Sequence, residues 1–215
     1  MKKRLSPLLC FAVIILLIIP SLTIAQALKP IKLPAPQTEG GKPLMQALKE
    51  RKSTRSFSSK ELSSQVLSNL LWAAFGINRS DGRRTAPSAV NWQEIDIYVT
   101  TTQGCYLYNA KEHSLQPVVP GDIRAATGSQ SFVAEAPVNL VYVADFSKMS
   151  GQNEQKAITS GADTGFISQN VYLFCASEGL ATVVRGMVDK EALAKALNLR
   201  PEQRVTLAQT VGYPK

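Results

Sequence analysis

Residues 161–177 limit what this chain can fold into more than any other stretch, because they predict a helix that is apolar on most sides. A helix without a polar face must be buried, so its few polar members need partners inside the protein or across an interface. Its circumference exceeds what one small sheet covers, which predicts an obligate homodimer built on this helix. The apolar members are Ala162, Phe166, Ile167, Val171, Leu173, Phe174 and Ala176, and the polar ones are Asp163, Gln169 and Asn170.

Several short segments predict the sheet against which this helix packs. Residues 94–100 alternate between polar and apolar, which predicts a strand with one buried face. The apolar side consists of Ile95, Ile97 and Val99, and the side expected to be exposed of Glu94, Asp96, Tyr98 and Thr100. Residues 138–144 are almost continuously apolar and rich in β-branched side chains, which is typical of a strand in the middle of a sheet. Two polar turns between these segments indicate a small antiparallel meander. Further strands are predicted at residues 105–108, 118–119, 181–184 and 205–211, with a turn at Arg185-Gly186.

Four further helices are predicted from apolar spacing and capping residues. Ser63 or Ser64 can cap one of them, and Gly76 is placed to end it. Residues 44–48 form a short helical face, and residues 189–197 predict a capped amphipathic helix. Asp122 can cap another short helix. A chain of 215 residues with this mixture of elements predicts one α+β domain.

The N-terminus predicts a leader that is separate from the domain. Three basic residues precede an apolar run at residues 8–19, and Ala25-Gln26-Ala27 supplies small residues, a pattern typical of a secretory signal peptide over residues 1–27. The run is shorter than the roughly 20 residues that span a bilayer, so cleavage is favoured over an N-terminal membrane anchor. The mature protein is then expected in the periplasm or outside the cell, without membrane attachment.

Residues 28–43 follow the leader and contain four prolines and a Gly40-Gly41 pair. This composition favours an extended arm or linker. The domain itself is predicted over residues 44–215. Loss of the leader removes three positive charges and no negative ones, so the net charge falls from +8 to +5. Such a mild excess favours anionic ligands but gives no support for nucleic-acid binding.

Cysteine and histidine usage excludes several classes of site. Only Cys105 and Cys175 remain after cleavage, one in a predicted strand and one in a predicted helix. An oxidising compartment permits a disulfide between them, but their spacing does not require one. His113 is the only histidine, so a histidine-based metal cluster is excluded and no metal is expected. His113 lies in a turn-like segment and is not expected to be catalytic.

The segment from Arg51 to Phe57 combines three cationic side chains with three hydroxyls. Arg51 and Arg55 can each present a planar fork of donors to phosphate oxygens, and Ser53 can fill remaining acceptor sites. This chemistry predicts an anion site. The alternative is an ordinary solvated loop, since basic and hydroxyl-rich stretches are usually exposed.

Two further stretches follow it at distances that are informative in combination. They are residues 86–93, with the sequence APSAVNWQ, and residues 179–186, with the sequence GLATVVRG. Together with residues 51–55 and the helix carrying Gln169-Asn170, they resemble the FMN-dependent nitroreductase family. Within that family the resemblance favours the branch of azoline-oxidising dehydrogenases, and it extends over residues 44–214. It implies a nitroreductase-like homodimer with a central, mainly antiparallel sheet flanked by helices.

The resemblance also implies which residues contact flavin mononucleotide (FMN). Arg51 and Ser53 would bind the phosphate and Arg55 the pyrimidine edge of the ring. Lys215 is a candidate for a second phosphate-binding cation, and Gln130 for the pyrimidine edge. Residues 184–186 would pass along the face of the flavin. Residues 87–91 would come from the second subunit. The full set of expected cofactor-binding residues is Arg51, Lys52, Ser53, Arg55, Pro87, Ser88, Ala89, Asn91, Gln130, Val184, Arg185, Gly186 and Lys215, of which Pro87 to Asn91 would reach the flavin of the partner subunit.

The implied function is an FMN-dependent oxidoreductase that transfers a hydride or electron pair to or from a small organic substrate. The flavin would carry the chemistry, so no catalytic side chain is assigned, although Arg185 is a candidate beside an anionic substrate. The alternative is a flavin-binding or structural dimer without turnover. A hydrolase using Ser53 or Ser88 is disfavoured, because no G-x-S-x-G motif is present. Export would also make nicotinamide cofactors scarce, so slow oxidation of NADH is expected.

Overall fold

The computed structural model of the protein describes residues 27–215. The predicted leader therefore lies outside the described residues, apart from Ala27. Within residues 27–215, no helix has both the length and the apolar character needed to cross a membrane.

One sheet of seven strands organises the described chain. The strands are β1 (Ile31–Lys32), β2 (Ile95–Thr100), β3 (Gly104–Asn109), β4 (Ser114–Pro120), β5 (Val138–Asp145), β6 (Ala181–Arg185) and β7 (Gln203–Gly212). Their order across the sheet is β1-β4-β3-β2-β5-β7-β6, and every neighbouring pair is antiparallel. The predicted α+β fold with a central antiparallel sheet is confirmed.

Helices cover both faces of this sheet. They are α1 (Leu44–Glu50), α2 (Ser64–Phe75), α3 (Phe132–Glu135), α4 (Asn153–Glu178) and α5 (Lys190–Ala196). Three short 3-10 turns lie at Ala89–Asn91, Arg124–Thr127 and Phe146–Lys148. The first face packs α2 and α4 against Ile97 and Leu140, and the second packs α5 against Tyr98 and Val143. Burial of apolar area on two faces is the main source of stability in such a fold.

Strand β5 lies in the interior of the sheet between β2 and β7, as its apolar run predicts, and all eight of its residues are buried. The prediction for β2 was wrong in one respect. Tyr98 and Thr100 belong to the face expected to be exposed, yet both are buried. The reason is that α5 covers this second face, and Thr100 donates its hydroxyl to the backbone oxygen of Asn139 at 3.2 Å.

The predicted caps of two helices are confirmed. Ser63 precedes α2 and accepts a hydrogen bond from the backbone N–H of Val66 at 3.2 Å, and Gly76 follows the helix. Asp189 precedes α5 and accepts from the N–H of Ala192 at 3.0 Å. Each cap satisfies a backbone donor that the helix itself leaves unpaired.

Helix α4 is 26 residues long and begins eight residues earlier than the predicted start at residue 161. Its first two turns are polar, so apolar spacing did not reveal them. Gly179 ends the helix in the left-handed conformation, with φ of +70°, as predicted. The expectation that the helix is buried all round is only partly met within the single chain. Phe166 is 48% exposed and Ile158 62% exposed, whereas Val171 is fully buried.

The arm at residues 28–43 is mostly extended and is attached to the domain. Ile31 and Lys32 pair with Leu115 and Ser114 of β4, and Leu33 is buried in the core. Further along, the side chain of Ser177 on α4 accepts from the backbone N–H of Lys42 at 2.8 Å. The arm therefore crosses from the edge of the sheet to α4.

Cys105, Cys175 and His113 are buried or hydrogen-bonded within the domain. Cys105 in β3 and Cys175 in α4 are both buried and unpaired. The imidazole of His113 is hydrogen-bonded to the hydroxyls of Ser68 at 2.6 Å and Tyr108 at 3.0 Å, and burial lowers its pKa. No group of three or more potential metal ligands occurs among residues 27–215.

Candidate functional site

Tyr172 of α4 connects three segments that are distant in the sequence. Its phenol oxygen lies 2.8 Å from the hydroxyl of Ser53 and accepts the backbone N–H of Val184 in β6 at 3.0 Å. The guanidinium of Arg51 lies over its ring, 5.3 Å from the centroid, a distance typical of a cation–π contact. Arg51, Ser53 and the end of β6 are therefore brought together on the predicted helix.

The backbone of residues 51–57 is hydrogen-bonded to β6 and to the C-terminal end of the chain. The N–H of Thr54 donates to the carbonyl of Thr182 at 2.9 Å, and Phe57 pairs with Pro214 in an isolated bridge. Phe57 is buried and packs against Phe132. A rigid backbone thus presents the intervening side chains outward. Lys52, Ser53 and Arg55 are exposed, and Arg51 is half-buried.

A cavity of about 720 Å³ lies beside this segment, at the C-terminal end of α4. Its volume is within the range of about 300–1,000 Å³ typical of ligand pockets. Four lysines line it, and one of them, Lys42, forms an ion pair with Glu50 at 2.6 Å. The cavity therefore has the charge that an anionic ligand requires. The other three lysines are Lys49, Lys52 and Lys215, so the C-terminal residue lies near the basic segment.

The loop at residues 87–93 contacts the other half of α4. Asp163 accepts the backbone N–H of Ala89 at 2.9 Å, and Ser88 accepts the N–H of Gln93 at 2.9 Å. Val90, Asn91 and Gln93 have positive φ angles of 52°, 57° and 50°, which are costly for residues with side chains. The loop therefore adopts a strained conformation that its hydrogen bonds maintain.

The loop and the basic segment lie at different positions along α4 in the single chain. Asp163 and Tyr172 are nine residues apart on α4, which corresponds to roughly 13 Å along the axis at about 1.5 Å per residue. Pro87 and Asn91 are exposed in the loop that contacts Asp163, and Arg55 is exposed in the segment that contacts Tyr172.

Arg185 lies elsewhere than sequence reasoning placed it. It was expected on a turn, as a candidate beside an anionic substrate, but it is the last residue of β6 and only 6% exposed. Its guanidinium donates to the carbonyl of Thr127 at 2.5 Å, to Asn139 Oδ1 at 3.1 Å and to Thr210 Oγ1 at 3.2 Å. Burial lowers its pKa to about 10, so it remains charged at neutral pH. The Arg185 side chain therefore has a structural role.

Gln130 lies close to Arg185. A Cβ atom added at Gly128 would lie 2.0 Å from Arg185 Nη1 and 3.0 Å from Gln130 Oε1, which shows how closely these groups pack. The Oε1 atom of Gln130 is buried and has no hydrogen-bond partner within residues 27–215. Such an orphaned acceptor is available to a donor from outside the chain.

Comparison with known proteins identifies the fold and its family. The family model described as the nitroreductase family matches residues 48–213. The chain belongs to the nitroreductase family. A protein of Methanocaldococcus jannaschii assigned as a nitroreductase is 29% identical over 168 residues, which cover 73% of this chain and 85% of that protein.

Solved structures support the same assignment. A protein of Ralstonia eutropha JMP134 assigned as a nitroreductase is 41% identical, with a TM-score of 0.83 over 87% of this chain and 90% of that one. Two more remote structures share the fold. One, from Desulfovibrio desulfuricans, was solved in complex with FMN and is 22% identical, with a TM-score of 0.60 over 81% and 88% of the two chains. The other is the microcin synthetase McbBCD complex of Escherichia coli, 22% identical, with a TM-score of 0.66 over 79% and 73%.

Sequence reasoning missed two residues of the candidate site. Tyr172 was overlooked because it lies within a run of apolar helix residues, although a phenol there needs a polar partner. Glu94 was assigned to the exposed face of a strand, but it is completely buried next to Asp163. Neither position has a signal in a single sequence beyond the presence of a polar group in an apolar context.

Proposed function

We propose that this protein is an FMN-dependent oxidoreductase that transfers a hydride or electron pair to or from a small organic substrate. The observation that carries the proposal is the convergence of Arg51, Ser53 and β6 on Tyr172. Family membership and the FMN complex of the Desulfovibrio desulfuricans neighbour support it. The resemblance to the azoline-oxidising branch is in line with the fold shared with the microcin synthetase complex.

The residues present fit the chemistry of FMN. Its phosphate requires cationic and hydroxyl donors, and Arg51 forms no ion pair with any carboxylate in the part of the chain described. Arg51 and Ser53 would hold the phosphate, with Lys215 as a second cation. Arg55 would meet the pyrimidine edge. When bound, the flavin supplies the redox chemistry.

The backbone of residues 184–186 would lie along the flavin. The N–H of Val184 is already taken by Tyr172, so Gly186, which is exposed, is the part of this segment open to a ligand. A backbone donor near the ring stabilises negative charge on a reduced flavin. The Arg185 side chain contributes indirectly, because its hydrogen bonds fix the end of β6 against β7 and β5.

We further propose a homodimer in which each flavin contacts both subunits. Ile158 and Phe166 form an exposed apolar row on α4, and α1 adds Leu44, Met45 and Leu48, which are 64%, 75% and 42% exposed. Apolar patches of this kind mark interfaces. If two α4 helices meet about a two-fold axis in antiparallel orientation, the Asp163 end of one lies beside the Tyr172 end of the other. The loop at residues 87–91 then approaches the partner's basic segment.

Replacing Phe166 with glutamate is expected to weaken dimerisation by roughly tenfold to a hundredfold, because an apolar side chain is lost and a charge is buried in the interface. Sedimentation velocity over a range of protein concentrations measures this change. Ala192→Glu, on the exposed side of α5, is the matched control and should leave the dimer intact. A Phe166→Glu protein that remains as dimeric as the control would remove α4 from the interface.

Turnover distinguishes the enzyme from a flavin-binding dimer without activity. The flavin-loaded protein is reduced chemically without oxygen and mixed with a small nitroaromatic acceptor in a stopped-flow instrument. An enzyme is expected to reoxidise faster than free reduced FMN, because bound substrate is held against the ring. Flavin that is bound but reoxidises no faster than free FMN would favour the non-catalytic alternative. Reduction by NADH is expected to be slow, in line with the proposed export.

A further inference from the structure

Two carboxyl groups are buried together behind the loop at residues 87–91. Glu94 is completely buried, and within residues 27–215 no donor reaches either of its carboxyl oxygens. Its carboxyl neighbours that of Asp163 on α4, which is 3% exposed. Two adjacent buried carboxylates cannot both remain ionised without partners, because each would lack the donors that a buried charge requires.

Two charged groups face Glu94. One is Asp163 on α4, and the other is Lys148 in the 3-10 turn Phe146–Lys148. Lys148 is partly exposed and ion-paired with Asp96 at 2.8 Å, so it compensates little of the negative charge. Burial raises the pKa of Glu94 to about 7, and repulsion from the neighbouring carboxylate of Asp163 adds to the shift, while the positive charge of Lys148 opposes it.

The carboxylate of Asp163 also contacts the loop at residues 87–91. Its Oδ2 atom accepts the backbone N–H of Ala89 at 2.9 Å. Ala89 begins the segment in which Val90, Asn91 and Gln93 have positive φ angles. Such a conformation costs free energy and persists only where its surroundings enforce it, which is common at functional sites. The orientation of Asp163 is therefore linked to the shape of the loop.

We propose that Glu94 and Asp163 share one proton at neutral pH, and that the resulting O–H···O bond orients Asp163 so that it anchors Ala89. Both are positioning residues for the loop at residues 87–91. The inference deepens the proposed function, since it rests on that function for the loop's contact with the partner's flavin. The part that concerns the loop itself depends only on the contacts described.

The direction of the pH effect follows from proton linkage. The pKa of Glu94 is raised from 4.5 to about 7 in the folded protein. The folded state therefore binds this proton more tightly than the unfolded state does. Its stabilising contribution is complete below about pH 4.5 and is lost progressively as the pH rises to about 7. The loop should loosen as Glu94 ionises, and flavin should dissociate faster at about pH 8 than at about pH 6.

Two readouts test the proposal. The first is the amide resonance of Ala89 in flavin-free protein labelled with ¹⁵N-alanine, followed from about pH 5.5 to about pH 8.5. The second is the rate of FMN release over the same range. In the wild type we expect the Ala89 resonance to shift with a midpoint near pH 7, and FMN release to accelerate by about threefold or more. In Glu94→Gln, whose amide donates to Asp163 but cannot ionise, the Ala89 resonance should be independent of pH. FMN release should then lose its step near pH 7 and keep only the pH dependence due to the FMN phosphate, whose second pKa is about 6.

Glu61→Gln, at an exposed position, is the control and should titrate like the wild type. An Ala89 resonance that does not titrate, or one that titrates equally in Glu94→Gln, would overturn the proposal. If Glu94→Gln does not fold, ¹³C-carboxyl labelling of glutamate in the wild type decides instead: a Glu94 midpoint near 7 supports the shared proton, and one near 4.5 overturns it. Absence of FMN binding would defeat the proposed function alone, because the Ala89 measurement needs no flavin.

Discussion

Replacing Arg51 with alanine is expected to weaken FMN binding roughly tenfold to a hundredfold. Losing a charge-assisted bond to a desolvated phosphate costs about 1.5–3 kcal/mol. Arg51 is half-buried and held over the ring of Tyr172, so little side-chain entropy remains to be lost when it binds an anion. Equilibrium titration of the apoprotein with FMN, followed by flavin fluorescence, measures the change.

Lys52→Ala is the matched control for this substitution. It removes the same charge from the adjacent residue, but Lys52 is exposed and lies in the lysine-lined cavity instead of over Tyr172. We expect its effect on FMN affinity to be far smaller, about threefold at most, because an exposed and mobile cation gains little on pairing. Equal affinities for the two variants would exclude Arg51 from the phosphate site.

The second large effect is on stability. Arg185→Met is expected to lower the free energy of unfolding by about 2–4 kcal/mol, since it leaves the buried carbonyl oxygen of Thr127 without its donor and removes one of the two donors to Asn139 Oδ1, the other being the hydroxyl of Thr210. The guanidinium has no carboxylate partner among the described residues, so its desolvation offsets part of this loss. Urea unfolding at a fixed protomer concentration measures the difference.

Arg83→Met provides the comparison. Arg83 is exposed and its ion pair with Asp81, at 3.2 Å, lies at the surface, so a change within about 0.5 kcal/mol is expected. An Arg185→Met protein as stable as Arg83→Met would mean that the buried network around Arg185 contributes nothing to the fold. FMN binding by a folded Arg185→Met variant then shows how far the end of β6 depends on this side chain.

Local patterns in the sequence were sufficient to predict much of the fold. The apolar run of β5, the Ser63 cap of α2 and the Gly179 end of α4 depend on a few neighbouring residues, and all three predictions are confirmed. The start of α4 was missed because its first turns are polar and partly exposed. The second buried face of β2 was missed because it depends on α5, which is almost a hundred residues away in the chain.

Long-range contacts explain what was missed at the site. Arg185 followed by glycine is typical of a turn, and only the acceptors from three distant segments, Thr127, Asn139 and Thr210, make burial of its charge tolerable. Arg51 and Ser53 could be singled out by their chemistry, but the side chain that unites them, Tyr172, could not. Their roles at a flavin remain predictions.

Titration of residues 28–215 with FMN tests the central claim most directly. Flavin fluorescence and absorbance report binding, and sedimentation on the same samples reports the assembly. The account predicts uptake that saturates at one FMN per chain in a dimer, with the dimer stabilised by the flavin that contacts both subunits. A folded protein that takes up no flavin, or a flavin-loaded monomer at micromolar concentration, would contradict it.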